Sequence, residues 1–291
     1  MKKTVISHFY NEEHLLPWWL NHHKQIFDHG IMIDYHSTDR SMEIIREICP
    51  DWELRYTRNR YFDSTPIDRE VMDIEQDLEG WRMCLNTTEF LYGNVSYMDD
   101  RQEPTQYFIG NYVFVDMEDE TKGPLTLSHD VLLHEQRYWG YNDTANKGTR
   151  MAHGSMSRMN RSLHNYPVKY DGGRHWPGTE RSFNDLVVFY YGYADINEPG
   201  IKRKAQIQTK INEKGHPHQY SEEGFLRQYR NDQRPKAQDL RDFVKGTYET
   251  QQKSLRNKND VIEVAETITE SNEEIAVKES KLIQPPPRTV G

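Results

Sequence analysis

Lys3 to Phe9 is a short apolar run with the pattern of a buried strand, and it closes on a polar turn at Tyr10-Asn11-Glu12. Leu16, Trp19, Leu20, His23, Ile26 and Phe27 then recur at helical spacing. Pro17 falls where the first turn of that helix tolerates it. Gly30 to Tyr35 predicts a second strand. Ser37-Thr38-Asp39 offers a cap, and Met42, Ile44, Ile45 and Ile48 form the apolar face of a second helix. Trp52 to Thr57 reads as a third strand, Thr65-Pro66-Ile67-Asp68 as a helix start, and Trp81 to Phe90 as a fourth strand ending at Leu91-Tyr92-Gly93. This βαβαβαβ order predicts an α/β fold with a Rossmann-like, mostly parallel central sheet flanked by helices. Ligands on such sheets bind outside the carboxyl ends of the strands. Those ends are Tyr10-Asn11-Glu12, Asp34-Tyr35-His36 and Asn86-Thr87-Thr88-Glu89, all of them polar.

The second half is less regular. Gln106 to Val115 and Leu186 to Tyr193 predict strands, separated by a region rich in Gly, Asn, His and Arg from Tyr138 to Arg181 that reads as long loops. Phe225 to Tyr248 has helical potential. From Gln251 the chain is charged, poor in aromatics and closes on Pro285-Pro286-Pro287. The expected organisation is therefore one domain over residues 1–250 and a disordered tail over 251–291.

Composition narrows the function classes. A formal net charge of -9 argues against broad nucleic-acid binding, which needs clustered Lys and Arg. No apolar stretch approaches the roughly 20 residues of a spanning helix, and the basic start lacks the apolar core of a signal peptide. A cytoplasmic location is expected. Cys49 and Cys84, each within an apolar run, are read as free buried thiols.

Ile6-Ser7-His8-Phe9-Tyr10-Asn11-Glu12-Glu13, followed by Leu16-Pro17-Trp18-Trp19-Leu20 and His23, resembles the opening of family-two-type glycosyltransferases. Ile33-Asp34-Tyr35-His36-Ser37-Thr38-Asp39-Arg40-Ser41 is similar to the D-x-x-S-T-D-x-S turn of that family, and Trp81 to Phe90 stands where it has W-x-x-x-x-D-x-D-E-F. The resemblance spans roughly residues 4–92 and implies the GT-A (nucleotide-diphospho-sugar transferase) fold with a UDP- or GDP-sugar donor over the first strands. It implies that Tyr10 and Glu12 flank the base and ribose, and that Asp34 accepts a hydrogen bond from the base. Asn86 and Thr88 fall at the two acidic positions of D-x-D, with Glu89 and Phe90 retained.

That departure matters, because acid pairs hold the Mg²⁺ or Mn²⁺ that neutralises a diphosphate leaving group. Three readings follow. A metal is held by Glu89 with Asp99, Asp100 or His218; or cations among Arg150, Arg158, Arg161, Arg174, Arg181 and Lys202-Arg203-Lys204 replace it; or the protein is a degenerate sugar-binding relic.

Gly173-Arg174-His175-Trp176-Pro177-Gly178 is a glycine-bracketed loop in which His175 and Trp176 are candidates for contact with a glycan acceptor. The resemblance also implies a late histidine for metal or diphosphate, and His218 in His216-Pro217-His218 is similarly placed. An inverting transferase needs a carboxylate base on the acceptor hydroxyl, and Asp100 and Glu180 are the candidates carried forward, beside Asp99 and Glu103. Trp18-Trp19 and Phe189-Tyr190-Tyr191 read as core. The sequence thus predicts a glycosyltransferase, with a non-catalytic nucleotide- or carbohydrate-binding protein as the rival. A Rossmann oxidoreductase or methyltransferase is disfavoured, since Phe9-Tyr10-Asn11-Glu12 stands where its glycine-rich turn belongs.

Overall fold

Strand β1 (Lys3–Phe9) runs between two parallel neighbours, β2 (His29–Asp34) and β4 (Trp81–Cys84), and is buried along most of its length. The structure is a computed structural model that describes residues 1–98, 102–117, 133–137, 139–142, 161–170, 172–174, 186–211 and 221–256. β3 (Glu53–Tyr56) pairs parallel to β2 on the outer side. β9 (Arg161–His164) pairs antiparallel to β4, and β6 (Gln106–Ile109) antiparallel to β9, giving a six-stranded sheet of order β3-β2-β1-β4-β9-β6. The fold is mixed α/β with a mostly parallel main sheet, as the alternating pattern predicts. The chain steps outward from β1 to β3 and then returns to the other side of β1. That reversal falls between β1 and β4, and in open α/β sheets the carboxyl edge at such a reversal is where a ligand crevice is expected.

The expected fourth strand, Trp81 to Phe90, is two strands. β4 stops at Cys84, and β5 (Glu89–Gly93) joins a second sheet of order β5-β10-β7-β8, with β7 (Asn111–Val115), β8 (Gly140–Asn142) and β10 (Leu186–Tyr193). The break has a cause in the first helix, α1 (Leu16–His23). Its Trp19 indole donates to the carbonyl oxygens of both Asn86 and Glu89, at 3.0 and 2.9 Å, and so pins the chain as it turns from one sheet into the other. His23 continues the clamp, accepting from the Leu91 N–H at 3.3 Å. Gln106 to Val115 is likewise divided at Gly110, with one half in each sheet. The region from Tyr138 to Arg181, read as loops, contributes β8 and β9; Arg161-Ser162-Leu163-His164 forms a fully buried strand because each of its three polar side chains finds an interior partner.

Helix starts follow local hydrogen bonding. Asp39 accepts from the Ser41 N–H at 3.0 Å at the head of α2 (Ser41–Ile48). α3 (Ser64–Gln76) begins two residues before the expected first position at Pro66, because Asp63 rather than Thr65 caps it, accepting from the Thr65 N–H at 3.0 Å. The remaining helices are α4 (Leu133–Gln136), α5 (Glu198–Ala205), α6 (Glu222–Gln228) and α7 (Arg234–Arg256), with a π-helical turn over Tyr229–Gln233 between the last two. α7 continues past Gln251, into the segment read as tail; residues 257–291 lie outside the described residues. Trp18, Trp19, Phe189 and Tyr191 are core, joined to Trp81, Phe90 and Phe114 in an aromatic-rich cluster between the sheets. Cys49 and Cys84 are free and buried. Among the described residues no helix is long and apolar enough to cross a membrane.

Candidate functional site

The two motif turns at the ends of β1 and β2 bind each other. The Asn11 N–H donates to Ser37 Oγ at 2.9 Å, the Thr38 N–H to Asn11 Oδ1 at 2.7 Å, and the Glu12 N–H to Ser41 Oγ at 2.8 Å. The Glu13 N–H donates to Asp39 Oδ2 and the Arg40 N–H to Glu13 Oε2, each at 3.0 Å. Asn11, Ser37, Asp39 and Ser41 thus work on the backbone. The small polar residues of both motifs are needed at this spacing to satisfy the amide groups of two adjoining turns.

Asp34 is different. It is fully buried, and its Oδ1 accepts from the Ser37 N–H at 2.9 Å and the Ser37 hydroxyl at 2.6 Å. Its Oδ2 is buried without a hydrogen-bond partner. Tyr10 is half-buried, with Lys210 Nζ 4.3 Å from its ring centre. Glu12 is held by Arg203 Nη1, at 3.1 and 3.2 Å from its two carboxylate oxygens. Gln206 donates to the carbonyls of Asn11 and Tyr10 at 2.6 and 3.3 Å, so α5 and the helical turn after it lie across the first turn.

On the other side of the crevice, residues 86–89 meet two arginines. Arg161 Nε and Nη2 bind Glu89 Oε2 and Oε1 at 2.8 and 2.5 Å, entirely inside the protein. Arg161 Nη1 donates to the Gly173 carbonyl at 2.7 Å. Glu89 also accepts from the Asn86 N–H at 2.8 Å and from the Asn86 side-chain amide at 3.2 Å. Burial alone would raise the Glu89 pKa, but Arg161 outweighs it and holds the carboxyl below its ordinary value. Arg174 closes the ring, donating from Nη2 to Asn86 Oδ1. Thr88 is buried, and its carbonyl accepts from the Tyr191 N–H at 2.8 Å.

α3 faces this ring with three buried acids. Asp68 accepts from the Gly173 N–H at 2.9 Å. Its pKa is raised by burial against the opposing pull of Arg174. Glu75 accepts from Tyr170 Oη at 2.6 Å and lies 3.2 Å from His164 Nε2. Glu70 binds Thr57 Oγ1 at 2.7 Å, the Arg58 N–H at 2.9 Å and Asn59 Nδ2 at 2.6 Å, and lies 3.2 Å from His8 Nε2. Burial lowers the His8 pKa to about 4, so His8 is neutral at pH 7. With the proton on Nε2 facing Glu70, His8 Nδ1 is a buried acceptor without a partner. His8, Glu70 and Thr57 escape sequence reading. The only signal is a histidine inside an otherwise apolar strand end and an acid beside Val71 on an apolar helix face.

Three non-glycine residues in the described chain have positive φ: Asn11 at 50°, His36 at 61° and Arg174 at 61°. All three stand at this edge. Asn tolerates that conformation, whereas His and Arg adopt it at a cost of order 1–3 kcal/mol, which the surrounding contacts must hold in place.

As placed, the described donors do not fit a dication. Both Glu89 oxygens are committed to Arg161, and Asn86 Oδ1 is taken by Arg174. Among the described residues no three His, Cys, Asp or Glu stand together as a metal set. Asp100, Glu180, His175, Trp176 and His218 lie outside the described residues. The structure brings together Tyr10 and Glu12 on one turn, Asp34 opposite them, and Asn86, Thr88 and Glu89 across the crevice.

No family model matches the chain, and no curated protein matches it. Solved structures offer faint likenesses. Residues 1–349 of S. aureus TarS share 13% identity, with 80% of this chain and 73% of that one covered and a TM-score of 0.35. A longer S. aureus TarS structure gives 12% identity and a TM-score of 0.32, over 79% of this chain and 44% of that one. TarS 1–349 in complex with UDP-GlcNAc gives 14% identity and a TM-score of 0.29, over 79% and 73%.

Proposed function

We propose that the chain is a glycosyltransferase of the GT-A kind that binds a UDP- or GDP-linked sugar at the crevice between β1 and β4. It would pass the sugar, with inversion, to a hydroxyl of a glycan or similar acceptor. The observation that carries this reading is Asp34, a fully buried carboxylate at the carboxyl end of β2 with one oxygen saturated by Ser37 and the other unpartnered. An unmade hydrogen bond at a buried charged group is expensive, so this oxygen is poised for a ligand N–H such as the imide of uracil or guanine. The order reversal of the sheet independently favours a ligand at the same edge.

In the transfer, the acceptor oxygen bonds to the anomeric carbon from the face opposite the diphosphate. The bond from that carbon to the β-phosphate oxygen breaks, and both electrons leave with the nucleoside diphosphate. The acceptor proton passes to a carboxylate, for which Asp100 and Glu180 are the proposed candidates, with His175 and Trp176 proposed against the acceptor. A divalent ion, were one held here, would supply charge to neutralise the leaving diphosphate. In this chain a site made by Glu89 and His218 would require the Arg161 pair to open.

The loss of both acids at 86 and 88 favours a second reading, nucleotide-sugar binding without transfer. Calorimetry with UDP- and GDP-sugars, with and without Mn²⁺, separates the cases. Binding that weakens more than tenfold in Asp34→Ala supports the site; absence of binding to every nucleotide sugar sinks it. Release of nucleoside diphosphate by wild type and not by Asp34→Ala selects transferase over relic.

A further inference from the structure

Resting on the transferase reading, we propose that Arg174 takes the place of the divalent cation, its guanidinium binding the donor diphosphate while Asn86 holds it in position.

Two positive charges meet the 86–89 connection, and they are used differently. Arg161 is cancelled by Glu89, in a pair with both partners sealed from water. Among the described residues the Arg174 guanidinium hydrogen-bonds the neutral oxygen of Asn86 and forms no ion pair, although its charge is felt at Asp68. An aspartate at 86 would place a carboxylate on that guanidinium and cancel its charge. Asparagine fixes the same geometry and leaves the charge for a ligand. Asp68, an acid that feels the Arg174 charge, accepts from the Gly173 N–H through Oδ2, and its Oδ1 has no hydrogen-bond partner.

Arg174 is 5% exposed and its Nε is buried without a hydrogen-bond partner, so the guanidinium has donor capacity unspent. Its charge is felt at His8 on β1, at Tyr35 after β2, at Asp68 on α3 and at Glu89 on β5. The backbone is built to hold it there. Gly173 (φ 90°) and Arg174 (φ 61°) are successive left-handed residues; the Gly173 carbonyl accepts from Arg161 and its N–H donates to Asp68. A planar, permanently charged fork suits a diphosphate oxygen pair, and it stabilises the charge that develops there as the sugar leaves.

The test compares affinities for UMP, UDP, GMP and GDP, measured by calorimetry on the full chain in EDTA and again with Mn²⁺. For wild type, the nucleoside diphosphate that fits should bind in EDTA, with less than about twofold change on adding Mn²⁺. Arg174→Gln keeps a donor for Asn86 but removes the charge; its diphosphate affinity should fall about tenfold or more while monophosphate affinity changes little. Asn86→Asp, which leaves Arg174 itself intact, should also weaken diphosphate binding in EDTA, and Mn²⁺ should restore part of it. Thermal melts of all three proteins identify any variant that fails to fold, and the other variant then decides. Undiminished diphosphate binding by a folded Arg174→Gln, or wild-type binding that appears only with Mn²⁺, overturns this inference alone. Failure of every nucleotide to bind wild type overturns the transferase reading and this inference with it.

Discussion

Arg161 grips Glu89 through two parallel hydrogen bonds, at 2.8 and 2.5 Å, with side-chain exposures of only 2% and 0%. This pair ties β9 of the main sheet to β5 of the second one, at the point where the chain leaves β4. Removing one partner strands a charge in the interior, which costs about 3–5 kcal/mol. Arg161→Met should therefore lower unfolding free energy by that amount in urea melts. The double variant Arg161→Met with Glu89→Leu should cost clearly less than the sum of the two single changes, because neither charge is then left alone. Additive losses would show that the ion pair is not what joins the sheets.

Acid should destabilise the protein before its carboxylates titrate. Burial lowers the His8 pKa from 6.5 to about 4, against the opposing pull of its hydrogen bond with Glu70. Between those two values the unfolded chain binds more protons than the folded one. Stability is thus complete above about pH 6.5 and is lost as pH falls toward 4. His23 is lowered in the same direction by burial and adds to the slope. The His8 contribution alone is about 2 kcal/mol between pH 7 and pH 5, taking 1.36 kcal/mol per unit. A later loss belongs to Glu70. Burial raises its pKa, but the hydrogen bonds from His8, the Arg58 N–H and Thr57 prevail and hold it at about 2, so it acts between about pH 4.5 and 2. Urea midpoints at pH 7 and pH 5 should differ accordingly, and His8→Asn should flatten the slope while starting from a lower stability.

Both thiols should be silent in the native protein. Burial pushes the Cys84 thiol up to about 12 and the Cys49 thiol up to about 11, and neither side chain is more than 5% exposed. Thiolate is the reactive form, so labelling with an aromatic disulfide reagent should wait on opening of the structure. Two thiols are expected to react in urea and none within minutes in native buffer; fast native labelling would contradict the burial of Cys84 under α3.

The parallel half of the fold was legible because strands buried among helices leave an unmistakable alternation, and because Asn11, Ser37 and Asp39 are residue types that satisfy turn amides at fixed offsets. The break after Cys84 was not. The polar run Asn86-Thr87-Thr88-Glu89 reads as the end of one strand, whereas contacts from the distant Trp19 and Arg161 turn the chain there into a second sheet. β9 was hidden for the opposite reason: Arg161, Ser162 and His164 look like loop residues until Glu89, Gln106 and Glu75 are seen to satisfy them. At the site, Asp34 was visible as a strand-end acid. Asp68 and Glu70 were not distinguishable from surface charges on a helix whose inward face happens to be acidic.

The strap across the first turn yields the last prediction. Arg203 and Glu12 are paired with side-chain exposures of 8% and 13%, Gln206 holds the backbone of Tyr10 and Asn11, and the Phe62 N–H donates to the Lys210 carbonyl at 2.7 Å. Residues 198–210 therefore fix the orientation of the two side chains proposed to meet the base and ribose. Cutting the ion pair leaves Glu12 partly buried and uncompensated, which should cost about 1.5–3 kcal/mol. Arg203→Ala should lower stability by this amount in urea, and nucleotide affinity should fall about tenfold because Glu12 loses its fixed position. Lys202→Ala is the control: its partner Glu198 is exposed on the same helix, and solvent screens such a pair, so stability and nucleotide affinity should stay close to wild type. If Arg203→Ala weakens stability while nucleotide affinity stays at the wild-type value, the strap supports the fold alone and Glu12 does not touch the donor.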